Sequence, residues 1–249
     1  MGWNRKNKIE FFNSESSALD NFPIIESKNL KLKWVKRVRE DFQNQIEEGT
    51  DKNPEFKHLS RCPGIFDLFK YGYIIPLLKD IIIKPKGKEF QFMYPDNVAH
   101  SSFGIDWQST ELIAKSPWSA DFIIKIDTGW HVIAPKGVKF LLLPIAYPDT
   151  FTFTSTTGIL DPSIATEINF QMYWNSTESE TIIRAGTPLG HLIPLSEKKY
   201  DMVQRIMNQR DRDWVKKFHN ARESSFWPMK RHNKIIDMYN KHWHGYETK

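Results

Sequence analysis

The 249-residue chain contains a single cysteine, Cys62, and no long uninterrupted apolar run. One thiol excludes a framework of intrachain disulfides, so stability must come from a packed core, which a chain of this length can build. A membrane-spanning helix needs about 18 apolar residues, so no membrane association is expected. The basic N-terminal segment has no apolar stretch behind it, so we expect no secretory signal and a reducing compartment.

Signals for a cofactor or a metal ion are also scarce. Glycines such as Gly129, Gly137 and Gly186 stand singly, so the sequence has no glycine-rich phosphate loop. No histidine is followed two residues later by an acid, as an iron triad would require, and the pair His242 and His244 is a weak metal signal. We therefore expect no cofactor and no metal.

Positive charge is concentrated at one end of the chain. The net charge is +5, and residues 201–249 alone contain eleven Lys and Arg against six Asp and Glu, so the rest is neutral. A neutral body with a basic tail fits an acidic partner, which is either an acidic protein surface or nucleic acid.

Short runs rich in Ile, Val, Phe and Thr, separated by Gly, Pro, Asp and Asn, fill residues 73–195. This pattern predicts a mainly β domain, an antiparallel sandwich or a β-clip-like barrel. The run "EINFQMYW" alternates strictly and predicts a strand with one buried face, formed by Ile168, Phe170, Met172 and Trp174.

Residues 1–72 are predicted to form an N-terminal arm with short helices. Residues 1–34 have no period and are expected to be irregular, whereas the spacing of Val35, Val38, Phe42 and Ile46 predicts a helix over 35–48. Cys62, with no partner, is expected in the core.

Residues 196–249 are predicted to form a basic helical arm that folds separately from the β domain. Helical spacing beginning near Tyr200 places apolar residues on one face, and basic residues and tryptophans are interleaved after it. The predicted partner-binding residues are Val203, Met207, Trp214, Phe218, Lys216, Lys217, Arg222, Trp227, Lys230 and Arg231.

The segments "HVIAPKGVKFLLLP" and "GILDPSIATEINFQMYWNSTESETIIRAGTPLGHLIP" resemble the β-clip fold of the dUTPase and dCTP deaminase group over roughly residues 75–194. The resemblance implies a turn at Asp161 that in those enzymes holds a deoxyribose. The catalytic motifs are missing, because Asp161 is followed by "PSIAT", the phosphate-gripping segment before Gly158 is absent, and His191 replaces a glutamine. Asp161 is accordingly interpreted as part of an Asp-Pro turn, and as catalytic only if the chain is a nucleotide-acting enzyme.

The segments "CPGIFDLFKYGYIIPL" and "AGTPLGHLIPL" resemble an uncharacterised protein family of tailed phages. This resemblance implies a non-catalytic structural or assembly protein of the virion, assembled in the host cytoplasm as an oligomeric assembly with other virion proteins. Two alternatives are a nucleotide-acting enzyme derived from the dUTPase-like fold and a host-directed binding module.

Overall fold

A computed structural model describes residues 7–53, 57–95, 104–109, 117–176, 180–223 and 228–245. The protein is mainly β. Its strands are β1 (Lys8–Asn13), β2 (Ile25–Glu26), β3 (Tyr73–Pro76), β4 (Ile81–Lys86), β5 (Glu89–Met93), β6 (Gly104–Ser109), β7 (Phe122–Ile133), β8 (Phe140–Leu143), β9 (Phe153–Ser155), β10 (Gly158–Leu160), β11 (Glu167–Trp174), β12 (Thr181–Ile183), β13 (Pro188–Pro194) and β14 (Asp201–Ile206). Its α-helices are α1 (Ser16–Asn21), α2 (Lys33–Glu47), α3 (Pro63–Asp67), α4 (Gln209–Glu223) and α5 (Pro228–Tyr239).

Two sheets pack face to face as a sandwich. The six-stranded sheet has the order β14-β1-β7-β11-β9, with β6 also paired to β7, and the five-stranded sheet has the order β10-β8-β13-β3-β2. A third sheet, β12-β4-β5, adjoins them. The described strands pair antiparallel except for β1 and β14. The prediction of a mainly β, antiparallel fold is confirmed, and the sheets do not close into a barrel.

The main core lies between the two large sheets. Ile168, Phe170, Met172 and Trp174 on β11 are all buried there, at most 1% exposed, while the alternate residues are partly exposed. This confirms the predicted alternation. Because side chains on a strand alternate, the remaining β11 side chains lie on the face of the six-stranded sheet that points away from the sandwich, here called the outer face.

Gly190 on β13 lies directly against the Phe170 ring of the facing sheet. A Cβ atom at this position would lie 2.2 Å from Cε1 of the Phe170 ring. Only a residue without a side chain fits this contact, because a real Cβ does not approach a carbon atom so closely.

We expect Gly190→Ala to lower the free energy of unfolding by about 1–3 kcal/mol, since the ring must move within a packed core. The matched control is Gly158→Ala on β10, where a Cβ atom would meet nothing within 4 Å. Urea denaturation of both variants is the measurement. Equal stability of the two variants would show that the sheets are not packed at this distance.

The N-terminal segment differs from its predicted irregular form. β1 lies inside the six-stranded sheet, where Phe11 pairs with Val132 of β7 and with Gln204 of β14. Phe11 and Phe12 are both fully buried. The predicted helix over 35–48 is confirmed as α2, whereas Cys62 is exposed rather than in the core.

The helix predicted from Tyr200 to Met207 is wrong, because residues 201–206 form β14. This strand pairs in parallel with β1, with Met202 opposite Ile9 and Gln204 opposite Phe11. The prediction failed for two reasons. A short apolar run fits a helix and a strand equally well, and the strand β1 that pairs with this segment lies about 190 residues away in the sequence. The predicted boundary at residue 195 therefore crosses a hydrogen-bonded sheet.

The C-terminal helices cover one end of the outer face. Trp214 and Phe218 of α4 pack with Tyr239 of α5 against Phe12 and Ile133 of the sheet, and all five are buried. The Trp214 and Tyr239 rings meet edge to face with centroids 5.5 Å apart. Within the described residues, no helix is long and apolar enough to span a membrane.

Candidate functional site

The predicted apolar stripe of the C-terminal arm is covered by the chain itself. Trp214 is 0% exposed and Phe218 is 5% exposed, and Met207 and Val203 are half-buried. Their apolar surface is already packed against the sandwich, so Trp214 and Phe218 are not available to a partner. The sequence predicted these two residues to bind a partner, whereas in this structure the chain itself covers them.

The basic residues of the predicted interface have a different status. Lys216 and Lys217 are exposed on α4, so their predicted contact with an acidic partner remains a prediction. Four further residues were predicted for this interface. Trp227 lies outside the described residues, and so do the side chains of Arg222, Lys230 and Arg231.

Asp161 closes a turn. Its Oδ1 accepts hydrogen bonds from the Ser163 N–H at 3.0 Å and the Ser163 hydroxyl at 2.5 Å, and its Oδ2 lies 3.0 Å from Lys139 Nζ. Burial opposes ionisation, but these hydrogen bonds and the Lys139 ammonium outweigh it and lower the pKa of Asp161. The bonds to Ser163 are those of the Asp-Pro turn that the sequence predicts.

A buried charge network fastens β14 and α4 to β1. Arg205 Nε donates to Glu10 Oε2 at 3.1 Å, and Arg205 Nη2 donates to Asp211 Oδ1 at 3.0 Å. Asp211 Oδ2 accepts from the Asn208 N–H at 2.7 Å, and Asn208 Oδ1 accepts from the Asp211 N–H at 3.1 Å, which is a reciprocal cap of α4. The network has a clear structural role.

His131 is a buried neutral base beside this network. Its ring stacks on Phe12 with centroids 4.9 Å apart, and its Nδ1 lies 3.1 Å from the Thr166 hydroxyl, which accepts from Trp214 Nε1. Burial lowers the pKa of His131 from 6.5 to about 4, against the attraction of the Asp211 carboxylate. The imidazole is therefore uncharged near neutral pH.

The buried His131 predicts a loss of stability in mild acid. A histidine whose pKa falls on folding binds its proton in the unfolded chain first, so stability is lost as pH falls from about 6.5 towards about 4. We expect this group to remove about 2 kcal/mol of unfolding free energy between about pH 7 and about pH 5.

Denaturation at several pH values measures this effect. His131→Gln should flatten the dependence, and the control His232→Gln, at an exposed position of α5, should retain it. An unchanged slope in His131→Gln would show that another group is responsible.

Polar side chains of β9 and β11 lie side by side on the outer face. Thr154 of β9 pairs with Tyr173 of β11, and the Thr156 N–H donates to the Gln171 carbonyl at 2.7 Å. Gln171 in turn lies opposite Lys125 of β7. The charged side chains near this row are Lys125 of β7 and Glu167 at the start of β11, whereas the residues around Thr154, Thr156, Gln171 and Tyr173 are uncharged.

A cavity of about 880 Å³ lies over these uncharged residues, and we call it the groove. Its lining includes Thr154, Thr156, Gln171 and Tyr173, which we call its floor, and the aromatic residues Trp118 and Phe151, which we call its walls. None of the described residues lining it is charged, although 26% of the residues in the chain are. The described lining of the groove is therefore poorer in charge than the chain as a whole.

The aromatic walls of the groove are unusually exposed. Trp118, in the turn before β7, is 70% exposed, and Phe151, between β8 and β9, is 71% exposed. Large exposed aromatic rings around one concave site are typical of a binding surface. These two residues were not identified from the sequence, because both lie in loops where no periodicity marks them.

The loop that bears Phe151 contacts the first residues of α2. The Asp149 carboxylate accepts the Lys33 N–H at the start of α2, at 3.0 Å from Oδ1. Tyr147 packs edge to face on Trp34 with centroids 5.7 Å apart, and its φ of 51° lies in the left-handed region. Few residues other than glycine adopt this backbone conformation. It persists where the surrounding structure fixes it, often at binding sites.

Two acidic side chains, Asp127 of β7 and Glu167 of β11, lie on the outer face. Burial raises the pKa of the Asp127 carboxyl, whose Oδ1 accepts the Gly129 N–H at 3.0 Å. Glu167 Oε1 lies 3.3 Å from His219 Nε2. Within the described part of the chain, no group of three or more His, Cys, Asp or Glu side chains is placed to hold a metal ion.

The structure is that of a β-sandwich protein with a groove whose described lining is uncharged and includes two exposed aromatic residues. A scan against models of protein families found no match. A search of curated proteins found no match either.

Proposed function

We propose that the protein is a non-catalytic structural or assembly protein of a tailed-phage virion, and that it contacts its neighbours through the groove. The observation that carries this proposal is the pair of exposed rings, Trp118 and Phe151, over an uncharged polar floor. Because Trp214 and Phe218 are buried within the chain, the groove replaces the C-terminal stripe as the contact surface. The sequence segments that resemble phage proteins provide the setting.

The nucleotide-acting alternative receives less support. A triphosphate needs converging cations or a cradle of free N–H groups, and the groove lining has no cation among its described residues. Asp161, the acid that corresponds to the enzyme turn, is engaged by Ser163 and Lys139. We expect no turnover of any deoxynucleoside triphosphate with magnesium. Saturable hydrolysis that disappears in Asp161→Asn would favour the enzyme instead.

Incorporation of variants into particles tests the contact surface. We expect the double variant Trp118→Ala/Phe151→Ala to be incorporated at least about tenfold less than the natural chain, because two aromatic anchors are lost. The matched control is Tyr71→Ala, which removes an aromatic ring that is 62% exposed and does not line the groove. Equal incorporation of both variants would contradict the proposal.

A further inference from the structure

The chemistry of the groove limits what it can hold. Its lining has hydroxyls and amides but no charge among the described residues, so a phosphate or a carboxylate would lose water there without gaining a counter-charge. An ammonium would gain only a ring face and no carboxylate, so a neutral occupant fits the lining best. It must also be polar, because hydroxyls and amides line the floor between the two aromatic walls.

Several polar groups of the groove are free to bind. The Gln171 amide and the Thr156 and Thr157 hydroxyls make no hydrogen bond within the described part of the chain. An amide and a hydroxyl both donate and accept. Their natural complement is a ligand whose own groups do both, and a hydroxyl is such a group.

The aromatic walls add a second requirement. The faces of Trp118 and Phe151 are apolar and carry the negative side of the ring quadrupole, so they attract C–H groups with slight positive charge. A pyranose ring presents C–H groups on its face and hydroxyls around its edge. It can pack on Trp118 or Phe151 while its hydroxyls bond the floor.

The groove is held in place before any ligand arrives. The Asn175 amide accepts from the Ser119 hydroxyl at 2.9 Å and donates to the Thr154 hydroxyl at 2.8 Å. The Ala120 N–H bonds the Trp174 carbonyl at 2.7 Å, which ties the turn bearing Trp118 to β11. A site that is already ordered loses less entropy on binding.

We propose that the groove binds a neutral saccharide chain when no neighbouring virion protein covers it. This inference rests on the proposal that the groove is a contact surface, and it goes beyond the assembly contact by naming a second occupant. A peptide added to the edge of β9 is the competing occupant. It is disfavoured because β9 has only three residues, Phe153–Ser155, and offers few backbone pairs. If the saccharide belongs to a host surface, the protein acts as a host-directed binding module.

The test is calorimetric titration of the full chain with neutral hexasaccharides of glucose, mannose, galactose and N-acetylglucosamine. At least one should bind saturably, and sialylated or sulfated counterparts should bind more weakly. Trp118→Ala and Gln171→Ala should each weaken binding at least about tenfold, while Tyr71→Ala leaves it unchanged. Thermal unfolding confirms that each variant is folded.

Three outcomes overturn the saccharide assignment: no neutral sugar binds at about 10 mM, the groove variants bind as well as the natural chain, or only peptides bind. Particle incorporation is measured without added sugar, so it reports on the proposed function separately. Loss of incorporation in Trp118→Ala/Phe151→Ala without saccharide binding would leave the assembly function standing and reject the ligand class.

Discussion

Deletion of residues 197–249 should abolish cooperative folding of the whole chain. The deletion removes β14, which pairs along all of β1, and α4 and α5, which cover Phe12 and Ile133. It also removes Arg205, which ion-pairs with the Glu10 carboxylate of β1. The loss of a whole paired strand and of the helices over the sheet is expected to exceed the about 5–15 kcal/mol that keeps a typical domain folded.

Circular dichroism during heating and size-exclusion chromatography measure this outcome. The truncated chain should aggregate or melt without a cooperative transition. The control deletes residues 246–249, which removes none of the described elements and should leave melting unchanged. A monomeric truncated chain with nearly the natural melting temperature would restore the sequence-based boundary at residue 195.

Trp214→Ala should lower the free energy of unfolding by about 3–5 kcal/mol, the range for truncating a large buried aromatic residue. The side chain is 0% exposed, its ring meets Tyr239 and Phe218, and its Nε1 donates to the Thr166 hydroxyl at 3.2 Å. The substitution therefore leaves both a cavity and a changed hydrogen-bond network under α4.

The matched control is Lys216→Ala, two residues along the same helix and exposed, where we expect a change within about 0.5 kcal/mol. Denaturant unfolding of the two variants is compared. If Trp214→Ala costs less than about 1 kcal/mol while weakening a partner contact, the tryptophan is an interface residue after all.

The sequence predicts well those elements whose signal is local. The alternation of residues 167–174 identifies both the strand β11 and its buried face, and the apolar spacing after Trp34 identifies α2. Each pattern depends only on neighbours within a few residues, which the printed sequence contains.

The main errors of the sequence-based prediction concern β1 and β14, two strands that pair with each other over a long sequence distance. β1 and β14 each look irregular or helical alone, because the strand that stabilises each one lies at the opposite end of the chain. The apolar residues of the C-terminal arm were correctly expected to be covered, but the sequence does not say whether the cover is the same chain or another one. In the structure the cover is the same chain, because Phe12 of β1 is buried in one cluster with Trp214 and Trp243.

The groove is hidden from the sequence for a related reason. Its floor comes from β9 and β11 and its walls from two loops, and no spacing connects Trp118 with Phe151 or Gln171. One signal was present, since the polar face of β11 is charged only at its first residue, Glu167, and continues with Asn169, Gln171 and Tyr173. Only the pairing of β9 with β11 brings the uncharged threonines beside them.

Quantitative mass spectrometry of purified particles tests the central claim most directly. A structural or assembly protein of the virion should be present in a fixed copy number relative to the other particle proteins, and this number should survive high-salt washing if uncharged contacts in the groove hold it. Absence of the chain from the particles, or trace amounts that vary between preparations, would contradict the account.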